Sequence, residues 1–281
     1  MEFKNNEVII NFTPTGMIPT KEMTEHVPVS ANEIIEDVHK AVEIGITMVH
    51  IHARDEKTGM PTYKAEIYEK IIAGIRKFNS DLIICVSLSG RNHNELEKRS
   101  EPLYLEGKLK PDMGSLTLSS LNFNKTASIN DPEMIKNLAE IMLEKKIKPE
   151  LEAFDAGMIN YSKYLISKRL LTPPYYFNLI LGNIACAQAD LLHAGIMVRD
   201  LPKKSYWSLG GIGDFQLRMN SLAIAMGGGV RIGLEDNIWY DGKRTKLAKN
   251  VDLLKRIHDF LKMHDKEVMS SKFLRKNLLK F

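Results

Sequence analysis

Short apolar runs rich in β-formers alternate with longer amphipathic runs along the chain, and no other feature restricts the fold as much. The β-like runs fall at residues 8–13, 48–53, 82–88, 114–119, 149–154, 176–181, 206–210 and 230–233. After the first of them, Ile34, Ile35, Val38, Ala41 and Val42 recur at helical spacing. Further helices are expected at 63–78, 94–105, 132–145, 159–170, 185–198, 214–226 and 245–264. Ser30 followed by Glu33 is a capping-box pattern, and Asp131-Pro132 supplies a cap and a first-turn proline. Eight strands, each followed by a helix, is the count of a (β/α)8 TIM barrel, and 281 residues accommodate one such domain. A doubly wound sheet would usually carry Gly-x-Gly-x-x-Gly after its first strand. Thr13-Pro-Thr-Gly-Met17 lacks that spacing, so the expected fold is a single α/β barrel domain over residues 1–281 with a C-terminal helical extension.

Bulk properties exclude several function classes. A net charge of +4 is too weak to imply nucleic-acid binding, but it suits an anionic substrate or cofactor. No apolar stretch reaches the length of a membrane helix. Met1-Glu-Phe-Lys4 leads into the first β-like run without a signal-peptide pattern. Cys85 and Cys186 lie in apolar segments and are expected to be reduced core residues of a cytoplasmic protein. The basic stretch 266–280 is expected to be a last, solvated helix.

In a TIM barrel the reaction site forms at the C-terminal ends of the strands. Polar residues collect there. The second strand ends in Thr47-Met-Val-His-Ile-His-Ala-Arg54, and the third in Ser87-Leu-Ser-Gly-Arg91. The fourth carries Ser115, Thr117, Ser119 and Ser120. The fifth holds Glu150 and Glu152 before Asp155, and the eighth runs Arg231-Ile-Gly-Leu-Glu-Asp-Asn237. Residues two apart in a strand share a face, so His50 and His52 point the same way, as do Glu150 and Glu152. Inward acids and imidazoles need a compensating charge, which a bound cation supplies.

His50, His52 and Glu235 form a two-histidine, one-carboxylate set that leaves positions open for water or substrate. Zinc and non-haem iron both use such sets, and the barrel context favours zinc. The alternative for Glu235 is a surface ion pair with Arg231. Asp236 is either support for the set or a base. Arg231 either keeps Asp236 ionised or grips a substrate carboxylate with two N–H groups. Gly227-Gly-Gly229 precedes the eighth strand and reads as a turn. Gly210-Gly-Ile-Gly213 follows the seventh and suits a phosphate as well as a turn. His93 falls near the site. His193 reads as structural, and His258 and His264 as solvated.

Three segments together resemble a known family. They are Val49-His-Ile-His-Ala-Arg-Asp55 with Thr58-Gly-Met-Pro-Thr62, then Pro149-Glu-Leu-Glu-Ala-Phe-Asp155, then Gly228-Gly-Val-Arg-Ile-Gly-Leu-Glu-Asp-Asn237. The chain is similar, from Ile9-Ile-Asn-Phe-Thr13 to the last strand, to the β-keto acid cleavage enzymes. The 3-keto-5-aminohexanoate cleavage enzymes of lysine fermentation are their best-known class. The resemblance implies a zinc-bearing barrel that condenses a β-keto acid with acetyl-CoA, giving acetoacetate and a new acyl-CoA. Zinc then falls on His50, His52 and Glu235, and Arg231 with Asp236 generates the acetyl-CoA enolate. Ser87 and Ser115 match positions that bind the substrate carboxylate. Gly90 belongs to the same pocket loop, and Glu150 or Glu152 reads the substrate side chain. The resemblance also implies a homotetramer, with Trp239-Tyr240 and Tyr175-Tyr-Phe177 available for interfaces. Ser87-Leu-Ser-Gly90 and Ser119-Ser120 depart from the family's Ser-Thr-Gly-Gly and Gly-Ser loops, which bears on the identity of the keto acid. A zinc-dependent aldolase and a metal-dependent hydrolase are the alternatives on the same fold, and Asp236 could serve either.

Overall fold

The computed structural model describes residues 6–280. The expectation placed on Met1-Glu-Phe-Lys4 lies outside the described residues. Eight parallel strands close into a barrel: β1 Ile10–Phe12, β2 Met48–Ile51, β3 Ile83–Val86, β4 Met113–Thr117, β5 Lys148–Ala153, β6 Tyr175–Leu181, β7 Ser205–Gly211 and β8 Gly229–Ile232. Each strand pairs with the next along the chain, and β8 returns to β1 with Arg231 opposite Asn11. The registers that set His50 opposite Cys85 and Ser115 opposite Glu150 bring these polar positions to one depth.

Helices α1 Ala31–Ile44, α2 Ala65–Phe78, α3 Leu96–Ser100, α4 Pro132–Glu144, α5 Ala156–Ser167, α6 Leu191–Asp200, α7 Phe215–Ala225 and α8 Asn250–Met263 follow the strands, and α9 Ser271–Leu278 ends the fold. Ser30 and Glu33 form the reciprocal capping box of α1, and Asp131 caps α4 through the N–H groups of Glu133 and Met134. Four expected helices are displaced or shortened, among them α8, which begins at Asn250 rather than at 245. Asp155 and Asp190 cap α5 and α6, so the first begins earlier than periodicity suggested and the second later. Pro102 lacks the N–H that would continue α3, and the chain passes into a 3-10 turn at Glu101–Tyr104.

The interior changes character with depth. Ile9, Met48, Ile83, Met113, Tyr176 and Tyr206 cluster at the N-terminal end as an apolar floor. Two residues further along their strands stand Asn11, His50, Cys85, Ser115, Asn178 and Ser208, all buried. Another two residues bring His52, Ser87 and Thr117 to the C-terminal mouth. The period of two that alternates faces therefore also sorts the interior into layers.

The C-terminal segment is not merely solvated. Leu274 and Leu278 of α9 are fully buried against the floor residues, and Ser271 donates to the Thr47 carbonyl at 2.8 Å. Tyr175-Tyr-Phe177 starts β6 and is buried, which removes it as an exposed interface segment. Trp239-Tyr240 is half-buried, with the Tyr240 ring 4.4 Å from both Lys246 Nζ and the Arg256 guanidinium. Cys85 is a buried free thiol. Cys186 is also free, but it is only half-buried, in the loop after β6. His258 is not solvated: its Nε2 lies 2.9 Å from the Gly45 carbonyl. Gly228 is a packing requirement, because a Cβ there would fall 2.0 Å from the Trp207 ring. Among the described residues, no helix is long and apolar enough to cross a membrane.

Candidate active site at the barrel mouth

His50 and His52 project from one face of β2, as their spacing requires, and their Nε2 atoms lie 3.1 Å apart. His52 Nε2 is also 3.1 Å from Glu235 Oε1, which arrives on the turn after β8. One ligand atom from each of the three residues falls within 4.8 Å of the others. Gly16 makes this approach possible. It has φ +69°, and a Cβ there would meet the Glu235 Cγ at 2.5 Å.

Behind His50 stands Glu150, whose Oε2 accepts from His50 Nδ1 and whose Oε1 accepts from the amides of Asn11 and Asn178, each at 2.7 Å. Cys85 Sγ lies 3.2 Å from Oε2. Tyr176 donates to Ser208 at 2.8 Å and lies 3.1 Å from the Asn11 amide, which completes a buried network. Glu150 is thus fully buried beneath the imidazole and does not border the cavity, whereas Glu152 does.

The second cluster is centred on Arg231. Its Nε donates to Asp236 Oδ2 at 2.8 Å, and its Nη2 reaches Asp236 Oδ1 at 3.3 Å and Glu235 Oε1 at 2.6 Å. Nη1 is 3.8 Å from Glu152 Oε1, while Glu152 Oε2 accepts from the Thr117 hydroxyl at 2.7 Å. The two alternatives for Glu235 therefore coincide: it meets both the imidazole and the guanidinium.

Burial alone would lower the His50 imidazole, but the Glu150 and Glu235 carboxylates outweigh it and raise it to about 9. Burial prevails at His52 and lowers it to about 4. Glu235 is held well below the ordinary carboxylate range, because Arg231 and the two imidazoles outweigh its burial. Asp236 departs from expectation. Burial outweighs Arg231 and raises it, so the ion pair does not make it a weaker base.

The donor set fits a zinc ion. Two imidazole nitrogens and a carboxylate converge, and Glu235 Oε2 is buried without a hydrogen-bond partner among the described residues. A carboxylate on the far nitrogen of His50 is the arrangement that fixes the tautomer of a ligating histidine. A second grouping, His50, Cys85 and Glu150, lies deeper and uses the same imidazole.

The mouth opens into a cavity of about 710 Å³ lined by His52, Ser87, Arg91, Glu152, Arg231 and Asp236, among others. Ser115 lies beneath its floor, where its hydroxyl accepts from the Leu88 N–H at 2.9 Å and fixes the Ser87 turn. Gly90 is packed below the loop, with its carbonyl accepting from the Ile129 N–H at 3.2 Å. His93 meets Tyr63 edge-on in a side pocket that also touches His52. Asn11, Tyr176 and Asn178 escaped sequence reasoning. The available signal was a polar or phenolic residue at an inward position of an apolar run.

Imidazoles and carboxylates converging at the C-terminal mouth, beside a buried arginine–aspartate pair, mark the class: a barrel enzyme with its reaction site at the strand ends. The chain belongs to the beta-keto acid cleavage enzyme family, which matches residues 7–279. It is 32% identical over 264 residues to the 3-keto-5-aminohexanoate cleavage enzyme of Fusobacterium nucleatum, covering 93% of this chain and 94% of that one. It is also 32% identical to the 3-oxoadipate:acetyl-CoA acetyltransferase of Cupriavidus necator, covering 89% and 86%. The apo structure of ObcA superposes with a TM-score of 0.79 at 17% identity, over 89% of this chain and 65% of that one. The chain therefore spans about two thirds of that protein's length, and the likeness bears on fold alone.

Proposed function

We propose that the protein holds zinc on His50, His52 and Glu235 and exchanges acyl groups between a β-keto acid and acetyl-CoA. The products are acetoacetate and a new acyl-CoA. The observation that carries this reading is the convergence of two imidazoles and one carboxylate, with Glu150 behind His50, at the mouth of a family barrel.

Zinc, when bound, would polarise the keto group, which acidifies C2, and offset the negative charge that gathers on the keto oxygen. Asp236 removes a proton from C2 of the β-keto acid, and C2 then attacks the carbonyl carbon of the acetyl thioester. Oδ1 is the oxygen for this step, because Arg231 holds it less closely than Oδ2, at 3.3 against 2.8 Å. Arg231 keeps Asp236 aimed and donates to the acetyl oxygen on which charge gathers as C2 attacks. The Ser87 hydroxyl donates to the carboxylate of the keto acid. Glu150, Asn11 and Asn178 act through His50, whose ring they hold in place. In the net exchange, the keto acid loses its bond between C2 and C3 and the acetyl group loses its bond to sulfur. The acetyl carbon joins C2 to give acetoacetate, and the former C3 carbonyl takes the CoA sulfur. We extend the reading to a cytoplasmic homotetramer.

The test combines metal analysis of the purified protein with an assay of acetyl-CoA against a panel of β-keto acids, measuring acetoacetate. One zinc per chain and acetoacetate from at least one keto acid are expected. A protein that binds zinc and hydrolyses or aldol-cleaves the panel without consuming acetyl-CoA would overturn the reading. Light scattering that finds a monomer would remove the tetramer.

A further inference from the structure

Four arginines lie around the mouth, two of which, Arg91 and Arg231, line the cavity, and three have most of their donors engaged. Arg54 donates to the carbonyls of Gly16, Pro19 and Gly59. Arg99 donates to the carbonyls of Leu88 and Ile129 and to Asn130 Oδ1. Arg231 is paired with Glu235 and Asp236 through Nε and Nη2, and only its Nη1, 3.8 Å from Glu152, lacks a hydrogen bond. Arg91 differs: its Nε is buried, and its guanidinium has no acceptor among the described residues. A buried Nε–H without an acceptor is costly, and that cost is recovered when an anion arrives.

Its geometry is prepared for one. The guanidinium carbon lies over the Phe123 ring, 3.8 Å from the centroid, a cation–π contact that holds the guanidinium while Arg91 borders the cavity. Phe123 is itself fixed: its N–H donates to the Thr126 carbonyl at 2.9 Å, and its ring meets Phe154 edge-on at 5.9 Å. The two loops are tied to each other by the bond from Ile129 N–H to the Gly90 carbonyl, one residue before Arg91. A planar fork held this way matches a carboxylate, which it can bind through two parallel hydrogen bonds.

We propose that Arg91 determines specificity by binding a carboxylate at the far end of the β-keto acid, so that the favoured substrates are β-keto dicarboxylates. This rests on the functional reading above. The carboxylate next to the keto group belongs beside His52 and Ser87. The phosphates of CoA lie a whole pantetheine arm from the reacting thioester, whereas Arg91 borders the same cavity as Glu152 and Glu235. Glu152 is the acid that a cationic substrate end would use. It already accepts from Thr117 and faces Arg231.

The test measures binding first, so that it does not depend on turnover. Calorimetric Kd values on the zinc-loaded enzyme are compared for 3-oxoadipate, 3-oxohexanoate and 5-amino-3-oxohexanoate, which are similar in length and differ in terminal charge. Wild type should bind the dicarboxylate about 10–100-fold more tightly than the uncharged acid, the usual worth of hydrogen bonds to a charged group. Arg91→Gln should collapse that ratio toward one, and Arg91→Lys should restore part of it. Equal binding of all three acids by wild type, tightest binding of the amino acid, or a uniform loss in Arg91→Gln would overturn the proposal. If the preference is present and Arg91-dependent but no acetoacetate forms, the reaction assignment fails and the carboxylate site stands. If acetoacetate forms without a dicarboxylate preference, the reaction stands and the role of Arg91 fails.

Discussion

Glu235 and Asp236 are adjacent, meet the same guanidinium, and are driven in opposite directions. The neighbouring imidazoles and Arg231 hold Glu235 ionised against its burial, whereas burial raises Asp236 despite the same arginine. The first state suits a ligand, and the second makes Asp236 a stronger base than an ordinary aspartate. Asp236→Asn should therefore retain zinc while turnover falls by about 10²–10⁴-fold, the usual worth of general base catalysis. Metal content and steady-state rates on the same preparation check this, and near-normal turnover would move the base elsewhere. Glu150→Gln removes the charge behind His50 but keeps the size. Zinc affinity should fall by roughly 10–100-fold, as for other partners of ligating histidines, and competition with a chelator measures it. The His-x-His pair was legible because a period of two needs only local sequence. The role of Glu150 was not, because its depth relative to His50 depends on the barrel closing and on the register of every intervening strand.

Elements follow the same division. Caps were legible where a second signal accompanies the capping side chain, Glu33 three residues after Ser30 and Pro132 directly after Asp131. Asp155 looked like chemistry because it follows two inward glutamates, yet its Oδ1 accepts from the Met158 N–H and starts α5. Periodicity could not show this, since the strand's apolar run ends immediately before the cap. The α1 cap also makes a pH-dependent prediction. Glu33 is partly buried, which would raise it, but donors from Lys21, Ser30 and Val29 outweigh this and hold it at about 2, below its ordinary 4.5. A depressed folded-state value means that the stabilisation is fully present above about 4.5 and is lost as pH falls through about 2. The difference in urea midpoint between wild type and Glu33→Gln should therefore be largest near neutrality and narrow toward pH 2. A pH-independent difference would mean that the carboxylate charge contributes nothing to the cap.

At the scale of the whole molecule, the barrel has two ends with opposite chemistry, and each end has its own closure. The mouth is polar and takes the proposed substrates, while the floor is apolar and is sealed from below by α9. The overall fold was legible because alternation of strand and helix propagates through the whole chain. The seal was not, because the five basic residues of 266–280 led to a solvated reading despite the apolar stripe of Leu274 and Leu278. That stripe meets Ile9, Met48, Ile83 and Met113, which are the inward residues beneath Asn11, His50, Cys85 and Ser115. Arg275 pins the helix from outside, with Nη1 2.6 Å from Asp112 Oδ1 and Nη2 2.7 Å from Oδ2. The seal thus supports the layer that positions the histidines while touching none of the proposed ligands. Leu274→Ala should cost about 2–5 kcal/mol of stability, the range for a buried leucine whose surroundings only partly relax. Its zinc affinity, measured well below the melting temperature, should stay within about twofold of wild type, because a network bonded as fully as that around Glu150 should be held by its own contacts. A stability loss accompanied by an equally large loss of zinc would show instead that the floor and the ligand layer move as one body.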